Sequence, residues 1–162
     1  MKQVDIKQAI EKKYPEVVVL VTSIDKSGKP NVMPAGWFAF SNSEPACLTV
    51  AIGYKRYTHK LISQTKEFVV CFPSLGQEKD IEYCGEVSGA EVDKFANCNL
   101  EILPAVEVKP PLIKNSVACF ECKIINMMDL ADHTVFAGEI VAAHISDNKR
   151  IYNFGHRVFK TV

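Results

Sequence analysis

The first β-structure of the chain can be read from Glu16-Val17-Val18-Val19-Leu20-Val21-Thr22-Ser23-Ile24, which is followed by Asp25-Lys26-Ser27-Gly28 and then by Lys29-Pro30-Asn31-Val32-Met33. Its first part is apolar, rich in β-branched residues and nearly continuous, which predicts a buried strand over residues 16–24. Residues 25–28 predict a turn with positive φ at the glycine. The chain then returns as a second strand over 29–33. The stretch therefore predicts a β-hairpin.

Further strands are predicted where apolar and β-branched residues cluster between turn signals. They span residues 47–53, 67–72, 100–108, 117–128 and 133–145. In the last of these, alternate positions should share one face of the strand. The residues expected on that face are His133, Val135, Ala137, Glu139 and Val141. A turn over residues 129–132 predicts that the last two strands pair.

Helices are few. Residues 5–13 predict a short helix that ends at Tyr14-Pro15, and residues 57–65 predict a second helix with Thr58 as its cap. Short helices are also expected within residues 75–95, around Gly85 and Ser88-Gly89. Many short strands with few helices predict a mainly β fold, an antiparallel barrel that is closed or partly closed. Closure is expected because it removes exposed strand edges.

Length and charge set the class of protein. The 162 residues predict one domain over 1–162, with a C-terminal tail from about residue 147. Nineteen basic and nineteen acidic residues balance, which excludes a dedicated nucleic-acid binder and argues against a polybasic membrane patch. The N-terminus is polar rather than secretory, and the longest aliphatic run, residues 17–21, is too short to span a membrane. We therefore expect a cytoplasmic protein.

Six cysteines raise the question of disulfides or a metal. Without a secretion signal we expect reduced thiols that act as small apolar residues. Cys119 and Cys122 have the spacing of a metal or redox motif, but no second pair accompanies them, and in a strand they would point to opposite faces. The histidines His59, His144 and His156 show no spacing that would complete a metal site.

The segment Lys55-Arg56-Tyr57-Thr58-His59-Lys60 lies at a predicted helix start. A helix N-terminus offers unpaired N–H groups and the positive end of the helix dipole. Arg56, Thr58 and Lys60 would add a forked donor, a hydroxyl and a point charge. The pattern suits a phosphate, although a solvated basic helix start with Thr58 as an ordinary cap explains it equally well.

The segment Pro34-Ala35-Gly36-Trp37 suits a flat ring. It combines a rigid bend, small side chains and the chain's only tryptophan, and Gly36 permits a close approach of backbone to a ligand. The commoner fate of a lone tryptophan is a place in the core or in a dimer interface. Both interpretations stay open here.

Other residues leave the chemistry undecided. His133 begins a strand after a turn, where it could bind a ligand or satisfy the turn, and Lys94 could pair with an acid or contact an anion. The chain contains no G-x-G-x-x-G, P-loop or G-x-S-x-G motif and no evident pair of catalytic acids. A bound cofactor that carries the chemistry would explain why no catalytic side chain stands out.

In order and spacing, four segments resemble the flavin reductase-like FMN-binding split-barrel family, and within it the flavoredoxins. The resemblance covers roughly residues 16–145. The segments are residues 28–37; Arg56-Tyr57-Thr58 with Leu61-Ile62 and residues 67–70; Cys84-Gly85 with Ser88-Gly89 and residues 92–95; and residues 132–140.

The resemblance implies a homodimer of Greek-key split barrels, each holding one FMN without a covalent bond. It implies Asn31 and Trp37 beside the flavin and its ribityl chain, and Lys94 and His133 completing the pocket. The phosphate would lie among Arg56, Tyr57, Thr58 and Lys60. Backbone along the ring would come from Pro34, Ala35 and Gly36 and from Ala51, Ile52 and Gly53. No residue is expected to act as a catalytic acid or base.

The implied function is an oxidoreductase that passes hydride or electrons from NADH or NADPH through FMN to free flavin, ferric iron or a partner protein. Two alternatives stay open: an electron carrier with bound FMN and no nicotinamide turnover, and a dimeric barrel that has lost flavin. Cys71 and Ala90 stand where the family often has Asn and Arg. Cys71 and Cys84 are both expected near the site.

Overall fold

The structure is a computed structural model that describes residues 1–155 and 158–161. Residues 156, 157 and 162 of the predicted tail, among them His156, lie outside the described residues. The helices are α1 (Ile6–Ile10), continued by a 3₁₀ helix (Glu11–Lys13), α2 (Tyr57–Thr65) and α3 (Glu78–Glu86). The predicted helix over 57–65 is confirmed at both ends, and the predicted N-terminal helix over 5–13 is confirmed with Asp5 as its cap.

Strands dominate the chain. They are β1 (Glu16–Val17), β2 (Val19–Ile24), β3 (Pro30–Ala35), β4 (Phe38–Ser43), β5 (Ala46–Gly53), β6 (Glu67–Phe72), β7 (Ile102–Leu103), β8 (Leu112–Ile113), β9 (Ala118–Asp129), β10 (His133–Ile145), β11 (Tyr152–Asn153) and β12 (Phe159–Lys160). The predicted strands over 67–72 and 133–145 are confirmed without change of bounds.

All strand pairs are antiparallel among the described residues, and the largest sheet has the order β3-β2-β6-β9-β10-β5-β4. The predicted hairpins β2–β3 and β9–β10 are both present. Gly28 has the expected positive φ, +89°, at the first turn. The two edge strands, β3 and β4, follow each other in the chain, joined by Gly36 and Trp37.

The sheet separates two apolar clusters because successive side chains of a strand point to opposite faces. Val19 and Val21 belong to one cluster, with Phe68 and Phe136, whereas Leu20 belongs to the other. Cys119 and Cys122 likewise fall in different clusters, as the strand geometry predicts. Helix α2 packs on β2, β3 and β5, and α3 packs on β3, so both helices lie beside the first hairpin.

Two strand predictions need correction, and one strand was missed. The strand predicted over 100–108 is wrong: only Ile102 and Leu103 pair, with β8, because the amides of residues 106–108 bond to a side chain instead. The strand predicted over 16–24 is divided at Val18, since β1 pairs with β11 in a small sheet of its own while β2 joins the large sheet. Strand β4 was not predicted; it begins with Phe-Ala-Phe, but all of its residues except Phe38 are exposed.

Candidate functional site

A basic cavity of about 110 Å³ opens where β3, the start of α2 and the loop after α3 meet. Arg56, Lys55 and Lys94 give it positive charge, and Glu86 is the acidic side chain among its lining residues. The lining residues are Asn31, Met33, Lys55, Arg56, Tyr57, Thr58, Cys84, Gly85, Glu86, Val87, Ser88, Gly89 and Lys94. We refer to this space as the basic cavity.

A buried hydrogen-bond chain forms one wall of the basic cavity. The Asn31 amide Nδ2 donates to the Thr58 hydroxyl at 2.9 Å and to the Ser23 hydroxyl at 3.3 Å. The other amide atom, Asn31 Oδ1, is buried and has no hydrogen-bond partner among the residues that the structure describes. A buried carbonyl without a partner is costly, so an unpaired atom on a cavity wall points to a ligand. The packing is tight here, since a Cβ on Gly89 would lie 1.9 Å from Asn31 Oδ1.

Lys94 is the buried cation of the basic cavity, 5% exposed. Its Nζ donates to the carbonyls of Val32 at 2.8 Å and Cys84 at 2.6 Å, which leaves a third N–H. Burial lowers the pKa of Lys94, and the nearby Arg56 lowers it further against the opposing effect of Cys84. Lys94 has no ion pair within the described part of the chain, whereas its neighbour Asp93 pairs with Lys29. An anion in the cavity would compensate this charge.

The start of α2 forms the floor of the basic cavity. Arg56 is the N-cap residue, and within the described residues no side chain caps the helix. The His59 amide donates to the Arg56 carbonyl at 3.0 Å, which leaves the amides of Tyr57 and Thr58 without a side-chain acceptor among those residues. The prediction that Thr58 caps α2 is wrong, because its hydroxyl lies within the helix and accepts from Asn31. The helix start thus remains able to donate to an anion.

A second, larger cavity of about 340 Å³ adjoins the first and shares Met33, Arg56 and Gly85 with it. It is lined by Lys13, Glu16, Met33, Pro34, Ala35, Gly36, Trp37, Ala51, Ile52, Gly53, Arg56, Gly85 and His133. We refer to it as the ring cavity. Backbone and small side chains make up much of its wall, as a flat ligand requires.

Trp37 and His133 form the aromatic end of the ring cavity. Their ring centroids are 5.1 Å apart, and His133 Nδ1 lies 2.8 Å from a carboxylate oxygen of Asp132. Gly53 faces the His133 ring, since a Cβ there would lie 3.4 Å from Nε2. Trp37 is 55% exposed, which excludes a place in the core of this chain.

A salt bridge from the N-terminal segment closes one side of the ring cavity. Lys13 Nζ lies 2.6 Å from Glu16 Oε2, and Asn153 donates to Glu16 Oε1 at 3.1 Å. The Glu16 carboxylate lies over Gly36, where a Cβ would meet Oε1 at 3.1 Å. A side chain at position 36 would therefore require the Glu16 carboxylate to move by a few tenths of an ångström. Glu16 thus contacts Lys13 from the N-terminal segment, Asn153 from the C-terminal segment, and Gly36 in the bend that is predicted to bind a flat ring.

The structure brings all the predicted site residues but one to these two cavities. The exception is Lys60, which is exposed on α2 and lines neither cavity. Cys84 lines the basic cavity, as expected, whereas Cys71 lies in the core against Cys119, away from it. Whether the lining residues bind a cofactor stays a prediction.

Sequence reasoning missed several lining residues. Met33 was predicted only as part of a strand. It lines both cavities because it lies between Asn31, which lines the basic cavity, and Pro34, which lines the ring cavity. Lys13 and Glu16 reach the site because β1 pairs with the distant β11, and no local pattern signals such a pairing. Residues 84, 85, 88 and 89 were part of the resemblance, but only Cys84 among them was expected near the site.

The described residues contain neither a candidate metal site nor a candidate membrane-spanning helix. In residues 1–155 and 158–161, no three His, Cys, Asp or Glu side chains are grouped so that they could hold a metal ion. Over the same residues, no helix has both the length and the apolar character that crossing a membrane requires.

Comparison with known proteins gives the family. A sequence profile of the flavin reductase like domain matches residues 12–162. An uncharacterized protein of Archaeoglobus fulgidus is 37% identical over 138 residues, 85% of this chain and 76% of that protein. An NADH-dependent FAD reductase of Streptomyces globisporus is 28% identical over 80% of this chain and 70% of its own length. The chain belongs to the flavin reductase-like family.

Solved structures give the same result. Flavoredoxin from Methanosarcina acetivorans superimposes with a TM-score of 0.86 at 28% identity, covering 100% of this chain and 92% of its own. The predicted resemblance and the predicted mainly β, antiparallel split-barrel fold are thereby confirmed. The protein is a member of a flavin-binding family of oxidoreductases.

Proposed function

We propose that the protein binds FMN and transfers hydride or electrons from NADH or NADPH to an acceptor, which is free flavin, ferric iron or a partner protein. The observation that carries this proposal is the joined pair of cavities. One is basic and holds the unpaired Asn31 Oδ1, and the other is broad and walled by backbone and aromatic rings. A ligand with a phosphate at one end and a flat ring at the other matches that pair.

The residues present fit the phosphate end of FMN. The first-turn amides of α2 and the Arg56 guanidinium can donate to phosphate oxygens, and the third N–H of buried Lys94 supplies charge. Asn31 has an unpaired amide oxygen, which can accept from a hydroxyl of the ribityl chain. Its fixed bond to Thr58 holds that oxygen in place.

The ring end also fits. Gly36, Ala35 and the strand end Ala51–Gly53 present backbone to the ring cavity, and Trp37 and His133 close its aromatic end. When bound, FMN would supply hydride transfer and one-electron transfer. The protein's part is to bind the phosphate, orient the ring and exclude water from one face of it.

The size of the basic cavity favours FMN over FAD. Its volume of about 110 Å³ accommodates one phosphate group, whereas an adenosine needs a further site. Small-ligand pockets typically measure about 300–1,000 Å³, and the ring cavity by itself lies in this range. FAD would therefore have to leave its adenosine outside both cavities.

A second candidate function is an electron carrier that keeps FMN bound and does not turn over nicotinamide. The likeness to a flavoredoxin across the whole chain favours it. Both candidates use the same cavities and differ in whether a nicotinamide can reach the ring.

Two measurements test the proposal in sequence. The purified protein is first examined for bound FMN by its visible spectrum, and any apoprotein is titrated with FMN and with FAD. A colourless protein that binds neither flavin would contradict both candidates and favour the barrel without flavin. The yellow holoprotein is then mixed anaerobically with NADH or NADPH. Rapid bleaching supports the reductase, and bleaching too slow for turnover supports the carrier.

We further propose that the protein acts in the cytoplasm as a homodimer. Trp37 and Phe40 support the second part, since they are 55% and 56% exposed and large exposed apolar groups mark contact surfaces. Light scattering on the holoprotein tests this, and a monomer at micromolar concentration would contradict it.

A further inference from the structure

Two cysteines of the core touch each other and line neither cavity. Cys71 of β6 and Cys119 of β9 are register partners in adjacent antiparallel strands. Their Sγ atoms are 2.9 Å apart, and both side chains are buried, with exposures of 0% and 4%. All six cysteines of the chain are free thiols. The flavin proposal gives this pair no role.

The backbone places this pair within reach of a disulfide. Directly opposed residues of an antiparallel pair have Cα atoms about 4.5–5.5 Å apart. A disulfide needs a Cα separation of about 4.4–6.8 Å, so no strand has to move. The side chains already point to one face, since both belong to the same apolar cluster.

The two thiols differ in acidity. The hydrogen bond with Cys71 lowers the pKa of Cys119 in spite of burial, with help from the Ile113 backbone, Ser116 and His144. Burial raises the pKa of Cys71. Because the thiolate is the reactive form, the direction of these two shifts favours Cys119 as the nucleophile, and the contact between the sulfur atoms places Cys71 to resolve it. Burial raises the pKa of Cys84 to about 12 and that of Cys122 as well, so these thiols are less reactive.

We propose that Cys71 and Cys119 form an oxidative modification site, at which a hydroperoxide converts the two thiols into a cross-strand disulfide. The Cys119 thiolate attacks one peroxide oxygen, the O–O bond breaks, and Cys119 becomes a sulfenic acid. The Cys71 sulfur then attacks the Cys119 sulfur, the S–S bond forms, and water leaves. The thiols lose two electrons and two protons, and hydrogen peroxide is reduced to two water molecules.

A covering segment controls access to the pair. Residues 100–113, which we name the strap, include Leu100, Val108, Leu112 and Ile113 of the same apolar cluster. The Ile113 carbonyl lies 3.8 Å from Cys119 Sγ. The strap is held by Glu121, whose buried carboxylate accepts from the amides of residues 106–108. Oxidation must therefore wait for the strap to open.

Peptide mapping tests the proposal on the full chain with its flavin. The protein is treated with hydrogen peroxide, quenched, denatured and alkylated. We expect a peptide linked through Cys71 and Cys119 and lighter by two hydrogen atoms, reversed by dithiothreitol, with the other four cysteines alkylated. Alkylation of both residues, a Cys84–Cys98 link or a link between two chains in its place would overturn the proposal.

Matched variants sharpen the result. Cys119→Ser should abolish the link, and Cys122→Ser, three residues along the same strand but in the other cluster, should leave it. If Cys119→Ser does not fold, the map of the unaltered protein still decides. Glu121→Gln should speed oxidation several-fold relative to Glu107→Gln, whose carboxylate is exposed. Equal rates in both variants would contradict control by the strap.

Discussion

The strap and the basic cavity are two of the places where the described residues bury polar side chains, and they differ in whether those side chains have hydrogen-bond partners. Beneath the strap, Glu121 is fully buried, and its two oxygens accept from the amides of residues 106–108 and contact His144 Nε2 at 2.7 Å. At the basic cavity, Asn31 Oδ1 has no partner. A buried polar group whose hydrogen-bonding atoms all have partners indicates a structural role. A buried polar atom that lacks a partner on a cavity wall indicates a ligand site. Changes at Glu121 should therefore act on stability, and changes at the cavity on binding.

The largest effect is expected at Glu121. Glu121→Ala leaves three backbone donors without their acceptor, at about 1–3 kcal/mol for each donor that stays unpaired. We expect the free energy of unfolding, measured with denaturant, to fall by about 3–5 kcal/mol. Glu107→Ala is the matched control, since its carboxylate is 54% exposed and pairs with Lys123 at 3.7 Å. Its cost should stay below about 1 kcal/mol. Equal losses of unfolding free energy in Glu121→Ala and Glu107→Ala would contradict the structural role of Glu121.

The next effect concerns binding. Arg56→Ala with Thr58→Val should weaken FMN binding by about 1–3 kcal/mol for each charge-assisted hydrogen bond that the substitutions remove. Equilibrium titration of the apoprotein with FMN measures the change. Lys60→Ala is the control, because Lys60 carries the same charge on the same helix but lines neither cavity. An unchanged affinity in the double variant would mean that the phosphate lies elsewhere.

A substitution at Lys94 tests whether this cavity residue contributes to FMN binding rather than to the stability of the fold. Lys94→Met removes a buried charge, which is favourable, but leaves the carbonyls of Val32 and Cys84 without a donor, which is not. These terms oppose each other, so we expect the free energy of unfolding of the apoprotein to change by less than about 1–2 kcal/mol. FMN affinity should fall at least tenfold, or about 1.4 kcal/mol. Lost stability with intact affinity would reverse the assignment.

The same contrast explains what sequence reasoning could predict. Helix α2 and strands β6 and β10 were predicted with their bounds, because hydrophobic period and turn residues are local signals. Most of the site residues were also predicted, because they lie in short segments that resemble a known family. Two of the wrong predictions, the strand over 100–108 and the cap at Thr58, share a cause: each concerns a polar group whose partner is distant in the chain.

The strap and Thr58 illustrate that cause. Residues 100–108 are apolar enough for a strand, but their amides bond to Glu121, which no local pattern reveals. Thr58 stands too late in the chain to cap α2, and its hydroxyl accepts from Asn31, 27 residues away. Glu16 reached the ring cavity unpredicted because Asn153 holds it from the other end of the chain.

The smallest effect is the pH dependence of stability through Glu121. Burial raises the pKa of this carboxyl, but the amides of Val106, Glu107 and Val108 together with His144 outweigh burial, so the folded-state pKa lies below the ordinary 4.5. A lowered pKa means that the ionised group stabilises the fold at pH values above the unfolded value. That contribution is lost as pH falls through the folded-state pKa, and it amounts to about 1.4 kcal/mol for each pH unit that separates the folded and unfolded pKa values.

Denaturant unfolding of the protein and of Glu121→Gln between about pH 3 and pH 6 isolates this contribution. The unaltered protein should lose stability more steeply with falling pH than the variant, which has no proton to take up at this position. The difference between the two curves should shrink toward the acid end, because the protonated carboxyl of Glu121 and the amide that replaces it in the variant are then both neutral. Parallel curves would mean that the amides of the strap do not hold Glu121 ionised, and that the strap is fixed by its apolar contacts alone.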